Sequence, residues 1–273
     1  MPNKSVVLML VYVNDSLDHF KTAIESLYSQ TYQKFDIYIQ EDGEIKPDIH
    51  TFLLEELRLK RITYLGIRNF KKGISYSRNE LLRKAIKEDY LYFITMDSDD
   101  ICNEDRISKQ INFLEKNKEI DVCGCHIEEF GDGMKYHKLV KYPLLHEDMF
   151  NLFRYRVPLA NVTSIFRKDF FQKAGVYPEK NVNNNEDTML WLSGFINKCT
   201  FANVDFIGVR VRVSTDFFNR RSGIKKVFSD FRNRITVNRK LKFGLSSYFF
   251  AVLVLFMNLL PPHVKALIYK RYR

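Results

Sequence analysis

Apolar runs and helix-spaced apolar stripes alternate along the first hundred residues. Val6-Val7-Leu8-Met9-Leu10-Val11-Tyr12 is almost wholly apolar, the pattern of a strand covered on both faces. Leu17, Phe20, Ile24, Leu27 and Tyr28 then recur at helical spacing and predict a helix over residues 16–30. Phe35-Asp36-Ile37-Tyr38-Ile39 alternates as a second strand, and a helix follows from Ile49 to Leu59. Ile62-Thr63-Tyr64-Leu65 predicts a short strand, residues 75–87 a helix, and the run from Tyr90 to Thr95 another buried strand. Strand–helix alternation of this kind predicts a parallel sheet with helices on both faces.

Beyond residue 100 the pattern is less regular. Glu104 to Asn117 is amphipathic and helical, Asp121 to Phe130 strand-like, and residues 131–160 carry no clear period. Val162-Thr163-Ser164-Ile165-Phe166, Phe206 to Val209 and Val211 to Val213 have strand composition. Asn181 to Asn185 is polar and predicts a loop, with a helix from Glu186 through Trp191. No repeat or low-complexity linker interrupts residues 1–218, which we expect to form one domain.

The last quarter differs in charge. Residues 219–273 hold thirteen Lys/Arg and one acid, Asp230, a net +12 within a whole-chain +10, so residues 1–218 net −2. Ile224 to Lys242 predicts a basic helix, and Leu245 to Leu260 is apolar apart from Ser246, Ser247 and Asn258. Those 16 residues fall short of the ~20 of a membrane span. Pro261-Pro262 ends the segment. Residues 219–273 therefore read as a helical tail, a surface element or shallow hairpin on an anionic membrane; a helix buried against the body and a true single span are the alternatives. An acidic body offers no nucleic-acid groove. The cysteines (Cys102, Cys123, Cys125 and Cys199) form no C-x-x-C pair and read as small buried apolar residues in a reducing compartment. Met1 to Ser5 leads straight into a strand-like run with no cleavage site, so we expect no signal peptide.

Candidate chemistry clusters where strands end. Asp97-Ser98-Asp99-Asp100 follows the Tyr90–Thr95 strand directly, at the edge where open α/β sheets bind ligands. Three carboxylates in four residues repel one another unless a cation or hydrogen-bond donors share the site. A hard divalent ion, Mn²⁺ or Mg²⁺, beside a substrate diphosphate fits them; so does a solvated acidic turn. Glu41-Asp42-Gly43 repeats the pattern after the second strand, as a hydroxyl or base acceptor or as a plain turn. Arg78 can pair with a phosphate or with an acid of the site. Glu186-Asp187 opens a helix, either as capping acids or as a general base.

In order and spacing these stretches resemble the inverting nucleotide-sugar glycosyltransferases of family 2, which have the GT-A fold. Ser26-Leu27-Tyr28-Ser29-Gln30-Thr31-Tyr32 is similar to that family's helix-end signature. Glu41-Asp42-Gly43 resembles its nucleoside-binding acid, Asp97-Ser98-Asp99 its D-x-D, and Glu186-Asp187-Thr188-Met189-Leu190-Trp191 its E-D-x-x-L-W base motif. The resemblance spans about Ser5 to Arg221, and the tail is similar to a subgroup that builds bacterial surface polysaccharides (O-antigen, capsule or exopolysaccharide).

The resemblance implies a Rossmann-like, mostly parallel sheet with a C-terminal basic and apolar helical tail. It implies a hexosyl- or N-acetylhexosaminyl-transferase using a UDP-sugar and Mn²⁺ or Mg²⁺. Asp99 would hold the metal. Tyr12, Asp42, Arg78, Asp97, Ser98, Arg220 and Arg221 would bind the donor. Asp187 would be the base, with Glu186 second. The acceptor would be a glycan or an undecaprenyl-diphosphate-linked glycan, met by a cytoplasmic protein peripheral to the inner face of the cell membrane. Asn161 stands where the subgroup carries histidine, and Asp100 adds an acid without a matching role. Two other classes stay open: a nucleotidyltransferase, although Tyr12-Val13-Asn14-Asp15-Ser16 lacks the glycines of a triphosphate loop, and a non-catalytic membrane-surface binder.

Overall fold

The computed structural model describes residues 4–131, 137–179, 185–213 and 223–260. The first half runs β1 (Ser5–Val11), α1 (Leu17–Tyr28), β2 (Phe35–Glu41), α2 (Pro47–Arg58), β3 (Tyr64–Gly66), α3 (Ile74–Lys87) and β4 (Tyr92–Met96). Next come β5 (Ile101–Cys102), α4 (Arg106–Lys116), β6 (Val122–Phe130), β7 (Lys138–Val140), α5 (His146–Phe153), a 3₁₀ turn (Asn161–Thr163) and β8 (Ile165–Arg167). The chain continues through α6 (Lys168–Ala174), α7 (Glu186–Ile196), β9 (Phe201–Arg212), α8 (Ile224–Lys240) and α9 (Leu245–Leu259).

Among the described residues the strands make one sheet, ordered β3-β2-β1-β4-β8-β6-β9-β5, with β7 beside β6. The expected parallel alternation holds for β1 through β4. Beyond them the sheet is mixed: β8 runs antiparallel between β4 and β6, whereas β6 and β9 are parallel. Strand periodicity splits the core in two. Val7, Met9 and Val11 face one apolar layer with Phe20, Ile24, Leu53 and Leu114 of α1, α2 and α4. Val6 and Leu8 face the other, with Leu81, Phe153, Phe170 and Trp191 of α3, α5, α6 and α7. All four cysteines are buried and free, as expected for small apolar residues.

Two strand assignments need correction. The run Val162–Phe166 is not one strand. Its first part is the 3₁₀ turn, because the Thr163 N–H and hydroxyl both donate to the Ala160 carbonyl (3.0 and 2.8 Å), and the strand starts only at Ile165. Phe206–Val209 and the Val211–Arg212 part of the second run belong to one strand, β9, which starts at Phe201 and ends at Arg212. Its polar Asn203 is buried and donates to the Pro143 and Pro158 carbonyls (2.7 and 3.1 Å), so polarity there does not mark a loop. The unassigned stretch contains β7 and α5, and the missed α6 is a single short helix. Of the predicted loop at 181–185, residues 181–184 lie outside the described residues, and Asn185 is the N-cap residue of α7.

Candidate active site

The parallel register brings three strand ends side by side. Val11 pairs with Glu41 and Met9 with Met96, so the segments starting at Tyr12, Asp42 and Asp97 leave one edge of the sheet together. The Asp42 N–H donates to the Val11 carbonyl at 2.9 Å. Asp15 joins the first segment to the third: its Oδ2 accepts from the Tyr12 N–H (3.1 Å) and from the Ser98 hydroxyl (2.7 Å). Burial, aided by Asp99 and Asp97, pushes the Asp15 carboxyl up to about 6 even though both hydrogen bonds favour its charged form.

Asp42 is buried and organises the loop before α3. Its Oδ1 accepts from Arg68 (2.5 Å), the Lys72 and Gly73 N–H groups (3.0 and 3.1 Å) and the Ser77 hydroxyl (2.9 Å). Burial opposes ionisation, but these donors together hold the carboxyl below its ordinary value. Gly73, the second of these backbone donors, adopts a positive φ (99°) at the entry to α3, a conformation open mainly to glycine. Asp42 Oδ2 takes only the Gly73 N–H among the described groups (3.1 Å), which leaves acceptor capacity on that oxygen.

The acidic cluster is divided by burial. Asp97 and Asp99 are half-buried, whereas Ser98 and Asp100 are buried. Asp100 Oδ1 accepts from the Arg212 N–H (2.7 Å), and the Asp99 carbonyl accepts from Arg212 Nε (3.1 Å). Burial, then repulsion from Asp97 and Asp99, raises the Asp100 carboxyl well above its ordinary value. Asp100 thus pins the end of β9 to the cluster. Among the described residues, no three His, Cys, Asp or Glu side chains converge to hold a metal ion. The half-buried carboxylates Asp97 and Asp99 fit part of a hard-cation shell that substrate phosphate oxygens would complete.

Arg78 joins the cluster to α7. It is buried, donates to Asp97 Oδ1 (3.3 Å) and lies 5.2 Å from the ring centre of Tyr177. Desolvation weakens its charge, but Tyr177, Asp97, Glu186 and Asp187 together hold its pKa above the ordinary value. Its Nε finds no acceptor among the described residues. Tyr177 is fixed in turn: its hydroxyl donates to Asn161 Oδ1 (2.8 Å) and its N–H to Asn79 Oδ1 (3.0 Å). Asn161, where histidine was expected, therefore serves as a neutral anchor for Tyr177.

Glu186 and Asp187 form the first turn of α7, which Trp191 roots in the core, stacked 5.7 Å from Phe166. Asp187 Oδ1 accepts from the Thr188 N–H at 2.6 Å. Burial and the adjacent Asp187 raise the Glu186 carboxyl above its ordinary 4.5, against the pull of Arg78. Folded protein then holds this proton more tightly than unfolded chain. Stability falls as pH rises from 4.5 through the raised value and stays reduced above it. Glu186→Gln is accordingly expected to raise Tm at neutral pH, with the gain vanishing by about pH 4 in thermal melts.

Residues far apart in sequence (Arg78, Asp97, Glu186 and Asp187) thus share one electrostatic neighbourhood. Asp42 and Tyr12 occupy neighbouring segments of the same sheet edge. Arg220 and Arg221 lie outside the described residues. Sequence reading missed Asp15, Arg68 and Tyr177. A signal existed only for Asp15, in the short polar segment between β1 and α1.

Residues 7–175 match the model of the Glycosyl transferase family 2. The chain belongs to that family. It is 24% identical over 273 residues to a UDP-Gal:alpha-D-GlcNAc-diphosphoundecaprenol beta-1,3-galactosyltransferase of Escherichia coli, covering 98% of this chain and 96% of that protein. It is 26% identical over 224 residues to the amylovoran biosynthesis glycosyltransferase AmsE of Erwinia amylovora, with 82% of each covered. The crystal structure of GalNAc-T7 with UDP, GalNAc and Mn²⁺ superimposes with a TM-score of 0.63 at 16% identity, over 87% of this chain and 48% of that one. This family 2 protein is a glycosyltransferase with the GT-A fold, and one of its relatives is named for amylovoran biosynthesis. That sets aside the nucleotidyltransferase and non-catalytic readings.

Proposed function

We propose that this glycosyltransferase moves a sugar from a UDP-sugar to a hydroxyl of a glycan or undecaprenyl-diphosphate-linked glycan, by a single inverting displacement. The observation that carries the reading is buried Arg78, which donates to Asp97 (3.3 Å) and whose charge is also held up by Glu186 and Asp187. A displacement needs a leaving-group stabiliser and a base within one cleft. The Escherichia coli relative is named for a UDP-linked donor and a diphosphoundecaprenol acceptor, which supports the same classes here.

Asp42 Oδ2 and Tyr12 line the nucleoside end of the cleft. Arg78, through its unpaired Nε, takes an oxygen of the donor diphosphate. Asp97 and Ser98 orient the ribose and sugar. Arg220 and Arg221, as a basic pair, suit a diphosphate of donor or acceptor. Asp187, anchored through Oδ1 to the start of its helix, removes the acceptor proton as the alcohol attacks the anomeric carbon from the face opposite the diphosphate. Asp99, with Asp97 beside it, would hold Mn²⁺ or Mg²⁺, which supplies Lewis-acid stabilisation of the departing diphosphate when bound. The protein works in the cytoplasm at the inner face of the membrane, with residues 219–273 as the attaching segment.

Thermal-shift measurements test this directly. A UDP-sugar at ~100 times its Kd is expected to stabilise the protein by ~2.7 kcal/mol with Mn²⁺ present and far less with a chelator. Asp99→Ala is expected to erase that metal-dependent difference along with turnover. A chelator that leaves both donor binding and turnover of the native enzyme intact would refute the metal assignment.

A further inference from the structure

The C-terminal helices carry an inverted pattern. On α9 the small residues Ser247 and Ala251 are buried, while Leu245, Phe249, Leu253, Phe256 and Leu259 face outward at spacings of three to four. Leu245 is 88% exposed, Phe249 74% and Phe256 63%. The helix is anchored from beneath, with Phe250 set 5.0 Å from Tyr155 just beyond α5. On the adjoining α8, Ile224 and Phe228 are exposed as well. Large contiguous apolar surfaces on a folded chain mark a place where something apolar sits.

Charge identifies the occupant. Residues 223–260 contain seven Lys/Arg against one acid, Asp230, and Lys225, Arg232, Arg239, Lys240 and Lys242 are exposed. An apolar stripe on α9, joined to exposed cations on α8 and in the turn between the two helices, matches the acyl and headgroup layers of an anionic bilayer. At ~1.5 Å per residue α9 is too short to cross the ~30 Å hydrocarbon layer. No described helix is long and apolar enough to span. The geometry fits a helix lying in the plane of the interface.

The one acid of this segment is spent in a telling place. Asp230 Oδ1 accepts from Asn185 Nδ2 at 2.6 Å and from Lys226 Nζ at 3.1 Å. Asn185 is the residue that opens α7, immediately before Glu186 and Asp187. A displacement of α8 is therefore felt at the turn that holds both candidate bases.

We propose that α8 and α9 form a docking surface for an anionic bilayer, and that docking is communicated to the Glu186–Asp187 turn through the Asp230–Asn185 hydrogen bond. This deepens the functional reading by naming the surface on which the acceptor is met. Both readouts below are independent of sugar transfer, so failure here would leave the proposed chemistry standing.

Co-sedimentation of the full chain with phosphatidylglycerol-containing vesicles, against pure phosphatidylcholine vesicles, tests the docking. The wild type is expected to partition onto the anionic vesicles, and Phe249→Ser/Phe256→Ser to lose that partition by roughly tenfold or more with an unchanged melting temperature. Equal partition of wild type and double variant, or no partition together with a dimer by light scattering, would overturn it. Amide exchange over residues 186–196 tests the communication. Vesicles are expected to slow exchange there in the wild type and not in Asp230→Ala, which should still bind them. Exchange in the wild type that is indifferent to bound vesicles, or slowed to the same degree in Asp230→Ala, would overturn the link.

Discussion

Asp187→Asn is expected to lower kcat by about 10²–10⁴-fold while leaving the affinity for a UDP-sugar unchanged. The substitution is nearly isosteric, and an asparagine Oδ1 still accepts the Thr188 N–H that Asp187 now holds at 2.6 Å. The helix start is preserved and only the capacity to take a proton is lost. Trp191, one helical turn further along and buried in the core, keeps α7 in place in either variant. Donor titration by calorimetry together with single-turnover kinetics separates binding from chemistry. Wild-type kcat in Asp187→Asn would exclude Asp187 as the base, and a large loss in Glu186→Gln would then pass the role to its neighbour.

The second large effect is at Arg78. Arg78→Ala removes the cation that faces Asp97, Glu186, Asp187 and Tyr177 at once. Losing a buried partner of a charge-assisted bond costs about 2–5 kcal/mol, so kcat/KM should fall by roughly 30- to 5,000-fold. Arg78→Lys is the informative control. It keeps the charge but gives up the planar fork and the packing over the Tyr177 ring, and should recover only part of the loss. A lysine variant with full activity would show that a point charge suffices. An unchanged kcat/KM in Arg78→Ala would remove Arg78 from the donor site.

What could be read from sequence follows from how each segment buries itself. β1 and β4 are covered on both faces and appear as near-continuous apolar runs, whereas β2 is legible from its alternation. Their shared polarity then puts Asp42 and Asp97 at one edge without further information. β9 was harder, since Asn203 is buried with carbonyl partners and Asp205 meets His126 (3.1 Å) next to the register shift with β6. Tertiary partners decide such residues, and local composition cannot reveal them. Asp42 and the Asp97–Asp100 cluster were legible because clustered carboxylates at strand ends demand a reason, whereas Asp15 was missed. Arg68 and Tyr177 were not legible, because they act through neighbours that only the fold supplies.

Val237, near the end of α8, and Phe243, in the turn after it, are buried in the same apolar layer as Trp191. Anyone trimming this enzyme for crystallisation would therefore pull two plugs from the interior by deleting everything after the last strand. Repainting Phe249 and Phe256 with hydrophilic side chains offers a gentler path to a detergent-free preparation.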